Sequence, residues 1–348
     1  MEKVDYLVVG QGIAGSLLAY ELLNAGASVM VLNKETEESS SMKAAGIYNP
    51  ITGRRMIKTW MADELFSGLE AYYSQLEQVL NARFLYPKSI YRPFFSHEEQ
   101  NDWAGRLADD AYTPYLKQIH PGSRQIPGVL DDFGGLELKK CGFVHLPNML
   151  KAMRKWFDDK GMYRSEVFQY EEMNVSEGEV KYKELRATKV VFCEGPAVAA
   201  NPYWNSLPFK PVKGEILEIA TNLPENEILN RGVFVLPKNG KYSVGSTYDH
   251  DHLDYKPTAK GINNLKGRLK KIYEGDYQEV GATAGVRPAT YDRKPFLGWH
   301  PEFPSVGIFN GFGTKGVSLI PFFACHMVNY CLRDAELLPE VAVSRTYE

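Results

Sequence analysis

Apolar residues open the chain in two short runs with a helical stretch between them. Tyr6 to Val9 form the first run, and Ser28 to Leu32 form the second. Between them Ala14 to Ala25 carry Leu17, Leu18, Leu22 and Leu23 at helical spacing, and Gly26 breaks the helix. The pattern predicts strand, turn, helix, strand. Periodicity is then lost over 39–55, SSSMKAAGIYNPITGRR, where Gly46 and Asn49-Pro50 predict an irregular loop. Ala44, Ala45, Gly46, Ile47 and Tyr48 are too apolar for a free loop. So few bulky side chains would let that stretch lie flat against a planar ligand. From about Arg55 to Leu80 the residues Trp60, Leu65, Leu69, Tyr72, Leu76 and Leu80 share one broad face, which predicts a scaffold helix.

Residues 83–140 change character. FLYPKSIYRPFFS reads as strands broken by Pro87 and Pro93, followed by an acidic helix near Glu98 to Ala108 and a Pro/Gly-rich stretch. A second, β-rich domain begins there. The first domain is expected to return at Gly142, with Phe143 to Leu146 a strand and Pro147 opening a helix to about Lys160. Val167 to Val175 and Glu179 to Tyr182 read as a hairpin. Thr188 to Gly195 reads as a buried strand ending in Cys193, Glu194 and Gly195, where the glycine lets a backbone approach a ligand again. Strands from Pro211 to Asp249 read as the main sheet of the second domain. Late in the chain, Ile308 to Asn310 is a strand, Gly311 to Gly316 a glycine-rich turn, and Val317 to Cys331 an apolar helix. The expected organisation is one discontinuous domain of 1–82, 142–207 and 284–348, with 83–141 and 208–283 inserted as the other.

Composition narrows the class. The chain has 348 residues, 44% hydrophobic and 24% charged, with net charge −3, so no global field attracts nucleic acid. The densest basic run, Lys266 to Lys271, reads as a solvated helix face, with an RNA contact the minority alternative. Cys141, Cys193, Cys325 and Cys331 have neither disulfide-framework nor zinc spacing, which suits a reducing compartment. No apolar run approaches a membrane span, and the first strand begins too early for a signal peptide. The expected location is the cytoplasm, without a membrane partner and without a metal.

Gly10, Gly12 and Gly15 give the candidate chemistry, because they lie between the first strand and the first helix at the G-x-G-x-x-G spacing. In that context the first glycine permits the turn, the second lets a diphosphate approach the backbone, and the third lets helix and strand pack closely. Ile13 and Ala14 begin the helix whose N–H groups and dipole would hold the phosphates. The strand end that usually carries a ribose-binding acid has Asn33 and Lys34 instead. Glu35 points the same way as Asn33 in an extended chain and is a candidate substitute. These residues leave FAD, NAD and NADP open. The late glycine turn suggests a second helix N-terminus aimed at the same ligand, or simply a βα unit closing the core.

The ordered blocks resemble the FAD-dependent amine and D-amino-acid oxidase family, which includes glycine oxidase. The likeness runs nearly end to end. It rests on Gly10-Gly12-Gly15, the loop to Gly46 and Pro50, Val190 to Gly195, Pro211-Val-Lys-Gly214, Gly245-Ser-Thr-Tyr248, Gly285-Val-Arg-Pro288 with Asp292, Pro295 and Gly298, and Gly311 to Gly316 with Pro321. The resemblance implies an α/β fold, a Rossmann-like FAD-binding domain with an inserted antiparallel sheet for substrate. It implies non-covalent FAD, since no cysteine lies near Arg287 in sequence. Cofactor contacts are expected from the first glycine turn, Asn33, Lys34, Ser41, Ala44 to Ile47, Val167, Cys193 to Gly195, Arg287, and Gly311, Gly313, Thr314, Lys315 and Gly316.

By the same likeness Arg287 pairs with a substrate carboxylate, which its planar, permanently charged fork suits. Tyr248 is expected to line the pocket. The Thr314-Lys315-Gly316 turn resembles the flavin domain of the tRNA wobble-uridine modification enzyme more than it resembles glycine oxidase, which implies Lys315 near the flavin or the carboxylate. The expected activity is oxidation of a C–N bond in a small amino acid or N-substituted glycine. Oxidation of a carboxymethylaminomethyl-type tRNA uridine and a non-catalytic flavin-binding role are the alternatives. No general base is assigned, and His145 and His250 are read as structural.

Overall fold

The computed structural model describes residues 2–36, 38–53, 56–106 and 109–347. The chain opens as β1 (Glu2–Val9), α1 (Ile13–Asn24) and β2 (Val29–Asn33), followed by a one-turn helix, α2 (Ser40–Lys43). The first strand pairs in parallel with β2 on one side and with β3 (Leu185–Phe192) on the other. Tyr163–Ser165 extends the parallel sheet beyond β2, and Val306–Asn310 extends it beyond β3. Residues 6–9, 29–32 and 190–192 are buried, as the centre of a parallel sheet covered on both faces requires. Two strands, Glu179–Tyr182 and Met173–Ser176, add an antiparallel edge.

The second eight-stranded sheet is built largely from the inserted segments. Its core is β4 (Val212–Ala220), flanked by β5 (Lys241–Gly245) and, on the other side, by the long strand Gln278–Arg287. Beyond β5 lie Val233–Lys238, Ile228–Arg231, Ile90–Pro93, Gly135–Leu138 and Leu116–His120. All pairs are antiparallel except Ile228–Arg231 with Ile90–Pro93. Leu265 and Leu269 of α3 (Ala259–Leu269) pack with Leu217, Val235 and Val244 on one face. Ile90, Leu136, Leu138, Ile228 and Leu236, on the other face, join the central core shared with α1. No helix among the described residues is long and apolar enough to cross a membrane.

Several local expectations need correction. The single helix read from Arg55 is instead a hairpin, Ile51–Thr52 with Ile57–Lys58, followed by helices Ala62–Ser67 and Leu69–Leu80. Its predicted start, Arg55, and Ala108 at the end of the acidic helix lie outside the described residues. The Asn49 side chain accepts the Ile51 N–H at 3.0 Å and starts the hairpin, while Gly68 interrupts the helical run. Within the predicted irregular loop, Ser39 caps α2 by accepting the Met42 N–H at 3.2 Å. The hairpin read from Val167 starts at Met173, because Phe168 stacks on Tyr182 at 4.4 Å and residues 170–172 form a 3-10 turn. The strand at Gly142 ends at Val144 and joins a small sheet with Ile47–Tyr48 and Leu85–Pro87.

Candidate active site

The first glycine turn is closed by backbone contact. A Cβ on Gly10, whose φ is +101°, would lie 2.7 Å from the Cys193 carbonyl oxygen, and one on Gly15 would lie 1.8 Å from the Gly10 oxygen. Asn33 holds the turn, its side-chain oxygen accepting the Gln11 N–H at 2.9 Å. The Gln11 amide in turn donates to Ser16 Oγ and to the Leu150 carbonyl, each at 3.0 Å. Gly12 begins α1 without a capping side chain, no acid occupies the first turn, and the Ile13 N–H donates to Ser41 Oγ at 3.2 Å. Lys34 is exposed. Exposed Glu35 pairs with Arg154 at 2.5 Å. Val167 is exposed, one residue after Glu166, whose N–H donates to the Asn33 carbonyl at 3.0 Å.

The long strand Gln278–Arg287 is β6, Val306–Asn310 is β7, and the late apolar helix is α4 (Gly316–Leu332). Between β7 and α4 the chain turns through Gly311 and Gly313, with φ of +90° and +54°. A Cβ on Gly316 would lie 3.7 Å from the Ile13 side chain, so the N-termini of α1 and α4 converge. Asn310 joins the turns, accepting the Gly311 N–H at 2.8 Å and donating to the Gly195 carbonyl at 2.9 Å. Lys315 is partly buried at the start of α4, and burial, then the charge of Arg293, lowers its pKa. Thr314 is exposed. Cys193 is buried, whereas the Glu194 carboxyl turns to Tyr170 (2.7 Å) and Asn201 (2.8 Å). Burial raises the pKa of Glu194. Around Gly195 the space that a Cβ would enter is open.

Arg287 ends β6 opposite Val212, and its guanidinium lies across Gly214 of β4. Nη2 donates to Ser246 Oγ at 2.7 Å and Nη1 to the Thr247 carbonyl at 3.3 Å. The Tyr248 ring is 4.8 Å from the guanidinium and 64% exposed, so it borders the arginine from the solvent side. Burial lowers the pKa of Arg287. The segment 39–47 and this strand touch directly. Ser40 Oγ donates to the Val286 carbonyl, and a Cβ on Gly285 would lie 3.1 Å from Lys43. The loop from Ala44 to Ile47 continues beside the strand Gly142–Val144, with Gly46 at φ +79°.

Ser246, Thr247 and Gln11 were missed by residue-level reading. Their signals were weak: polar residues directly after Gly245 and inside the first glycine turn. His145 caps a helix, its Nδ1 accepting the Asn148 N–H at 3.2 Å, and exposed His250 lies beside the Pro211 carbonyl. The described residues contain no His/Cys/Asp/Glu group suited to a metal ion.

These features suit a dinucleotide-dependent oxidoreductase: two helix N-termini whose cap residues supply no side-chain acceptor and whose first turns carry no acid, with glycine backbone at both. The chain belongs to the FAD-dependent oxidoreductase (DAO) family, which matches residues 5–329. FAD is its cofactor, and it is an enzyme. Glycine oxidase from Pseudomonas aeruginosa is 24% identical over 340 residues, covering 90% of this chain and 91% of that protein. The tRNA 5-methylaminomethyl-2-thiouridine biosynthesis bifunctional protein of Legionella pneumophila is 21% identical over 96% of this chain. The chain spans about half the length of that relative, 55%. The structure of glycine oxidase from Geobacillus kaustophilus shares the fold, with TM-score 0.77 at 20% identity over 97% of this chain and 96% of that one.

Proposed function

We propose that this enzyme oxidises the C–N bond of a small amino acid or an N-substituted, glycine-like amine. The observation that carries the reading is the Arg287 fork, held by Ser246 and Thr247 over a glycine floor. Two of its five N–H donors have those partners, which leaves donors for a carboxylate. Anchoring the carboxylate there fixes the α-carbon and converts an encounter into an oriented reaction. FAD, when bound, supplies the two-electron acceptor for the α-hydrogen and its electron pair. The amine reacts in its neutral form, and loss of its N–H proton completes an imine that water hydrolyses. Lys315 adds positive charge at the start of α4, and Tyr248 shields the guanidinium from solvent. In the FAD-loaded protein, anaerobic addition of amino acids and N-alkyl glycines should bleach the flavin. Arg287→Ala should weaken the substrate by about 2–5 kcal/mol with flavin retained. Unchanged kinetics would exclude the anchor, and a flavin that no amine or amino acid bleaches would refute this substrate class.

A second reading, oxidation of a modified tRNA uridine, draws on the Legionella relative and on a cavity of about 310 Å³ lined by Gly53, Arg92, Phe95, Asn230, Arg231 and Gly232. Its arginines belong to the same sheet as Arg287, and because Arg231 pairs with Glu99 at 2.8 Å and Arg92 donates to the Gly53 carbonyl at 3.2 Å, an anionic group there would have to compete with those partners. Stoichiometric tRNA binding that weakens steeply with salt would support this reading, and its absence would dismiss it.

A further inference from the structure

We infer that Glu215 is a positioning residue for the substrate anchor, acting through Thr247. The inference rests on the reading of Arg287 as the carboxylate anchor. Glu215 lies on β4 next to Gly214 but points to the opposite face, where it is buried beneath α3. Its described partners are neutral. Oε2 accepts the Thr247 hydroxyl at 2.9 Å, and Oε1 accepts the Thr258 N–H at 2.6 Å and hydroxyl at 2.8 Å.

The Thr247 hydroxyl is used in both directions, because it also accepts the Glu215 N–H at 2.9 Å. With its side chain locked and its own N–H on the Glu215 carbonyl, Thr247 has little rotational freedom left. Its carbonyl is thereby aimed at Arg287 Nη1. On the other side of the same turn, Arg268 of α3 donates to the Ser246 carbonyl at 3.1 Å. Ser246 and Thr247, the two residues that hold the Arg287 fork, are therefore clamped from beneath the sheet.

Helix capping alone does not account for the carboxylate. Thr258 already caps α3 by accepting the Gly261 N–H at 3.0 Å. Gly261 instead makes room for Glu215, since a Cβ there would lie 1.5 Å from Oε2. A buried carboxylate shared by Thr258 and Thr247 ties the start of α3 to the turn under the anchor.

The test uses FAD-loaded protein titrated with glycolate, a carboxylate without an amine, followed by perturbation of the flavin absorbance. Glu215→Gln and Thr247→Val are each expected to raise the glycolate Kd about tenfold or more, because a displaced fork loses alignment. Thr247→Ser, which keeps the hydroxyl, should restore parental binding. A role confined to packing would lower Tm in both variants and leave the glycolate Kd unmoved. Adding Glu215→Gln to Arg287→Met should cost nothing further. Parental glycolate binding by Glu215→Gln and Thr247→Val, with Arg287→Met impaired, would overturn this inference alone. Parental binding by Arg287→Met as well would overturn the anchor reading instead. Should Glu215→Gln fail to retain flavin, Thr247→Val decides.

Discussion

Gly214→Ala places one methyl group where the anchor now rests. A Cβ at that position would lie 1.8 Å from Arg287 Nη2, 2.2 Å from Cζ and 2.6 Å from Nη1. Non-bonded carbon and nitrogen settle at about 3.5 Å, so the guanidinium must withdraw by about 1.5 Å. The colliding atoms end a flexible side chain, and Gly214 has no positive φ, so the sheet itself has no reason to break. The cost falls on the fork. Its bonds to Ser246 and Thr247 stretch or part, at about 0.5–1.5 kcal/mol each. A displacement of this size can cost about 100-fold in an oriented reaction, or about 2.7 kcal/mol. The assay is anaerobic flavin reduction by a productive amine, with flavin content and Tm measured alongside. The expected variant binds FAD normally, melts within a few degrees of the parent, and loses about 100-fold in kcat/KM. Arg287→Met combined with Gly214→Ala should be no worse than Arg287→Met alone. Parental kcat/KM in a flavin-replete Gly214→Ala protein would refute the placement of the anchor.

Gly15→Ala drives a methyl group into the Gly10 carbonyl, a backbone clash that α1 must move to relieve. It should cost about 1–3 kcal/mol and strip the protein of flavin, read from the 450 to 280 nm absorbance ratio. Burial raises the pKa of Glu194, so the folded state holds this proton more tightly than the unfolded one. Stability from this group is therefore full below the ordinary carboxyl range and declines as pH rises through the raised value. Glu194→Gln should raise Tm at pH 7–8 and leave it unchanged near pH 4; equal effects at both would refute the sign. Lys315, lowered by burial and by Arg293, should lose its charge at a lower pH than an exposed lysine. An alkaline fall in the reduction rate should vanish in Lys315→Met, which should also lower the flavin midpoint potential. A limb retained in that variant would assign it elsewhere.

The sequence was most legible where local steric rules act alone. The first glycine turn and α4 with its preceding glycines needed only short-range spacing, and both formed where that spacing put them. Legibility failed where partners are distant in the chain. Ser246 and Thr247 meet Arg287 because β5 and β6 flank the same strand, so residues about 40 apart in sequence become neighbours. Glu215 was invisible for the same reason: its role depends on Thr258 and Gly261, brought over by α3. Glu194 is expected as a cofactor contact from its place beside Gly195, where the backbone approaches the ligand. The Tyr170 hydroxyl and the Asn201 amide draw its carboxyl aside, and neither lies in the motif. The helix read from Arg55 failed because apolar spacing cannot report Asn49 starting a hairpin or Gly68 dividing a helix.

The proposed cofactor and substrate sites lie on different sheets, yet one short helix touches the elements of both. Helix α2 is a single turn, yet Ser41 meets the Ile13 N–H at the phosphate turn while Ser40 meets the Val286 carbonyl beside Arg287. Gly285, next along β6, has no side chain and so lets Lys43 close against the strand. Two adjacent serines, one accepting from α1 and the other donating to β6, thus tie the first glycine turn to the strand that ends in Arg287.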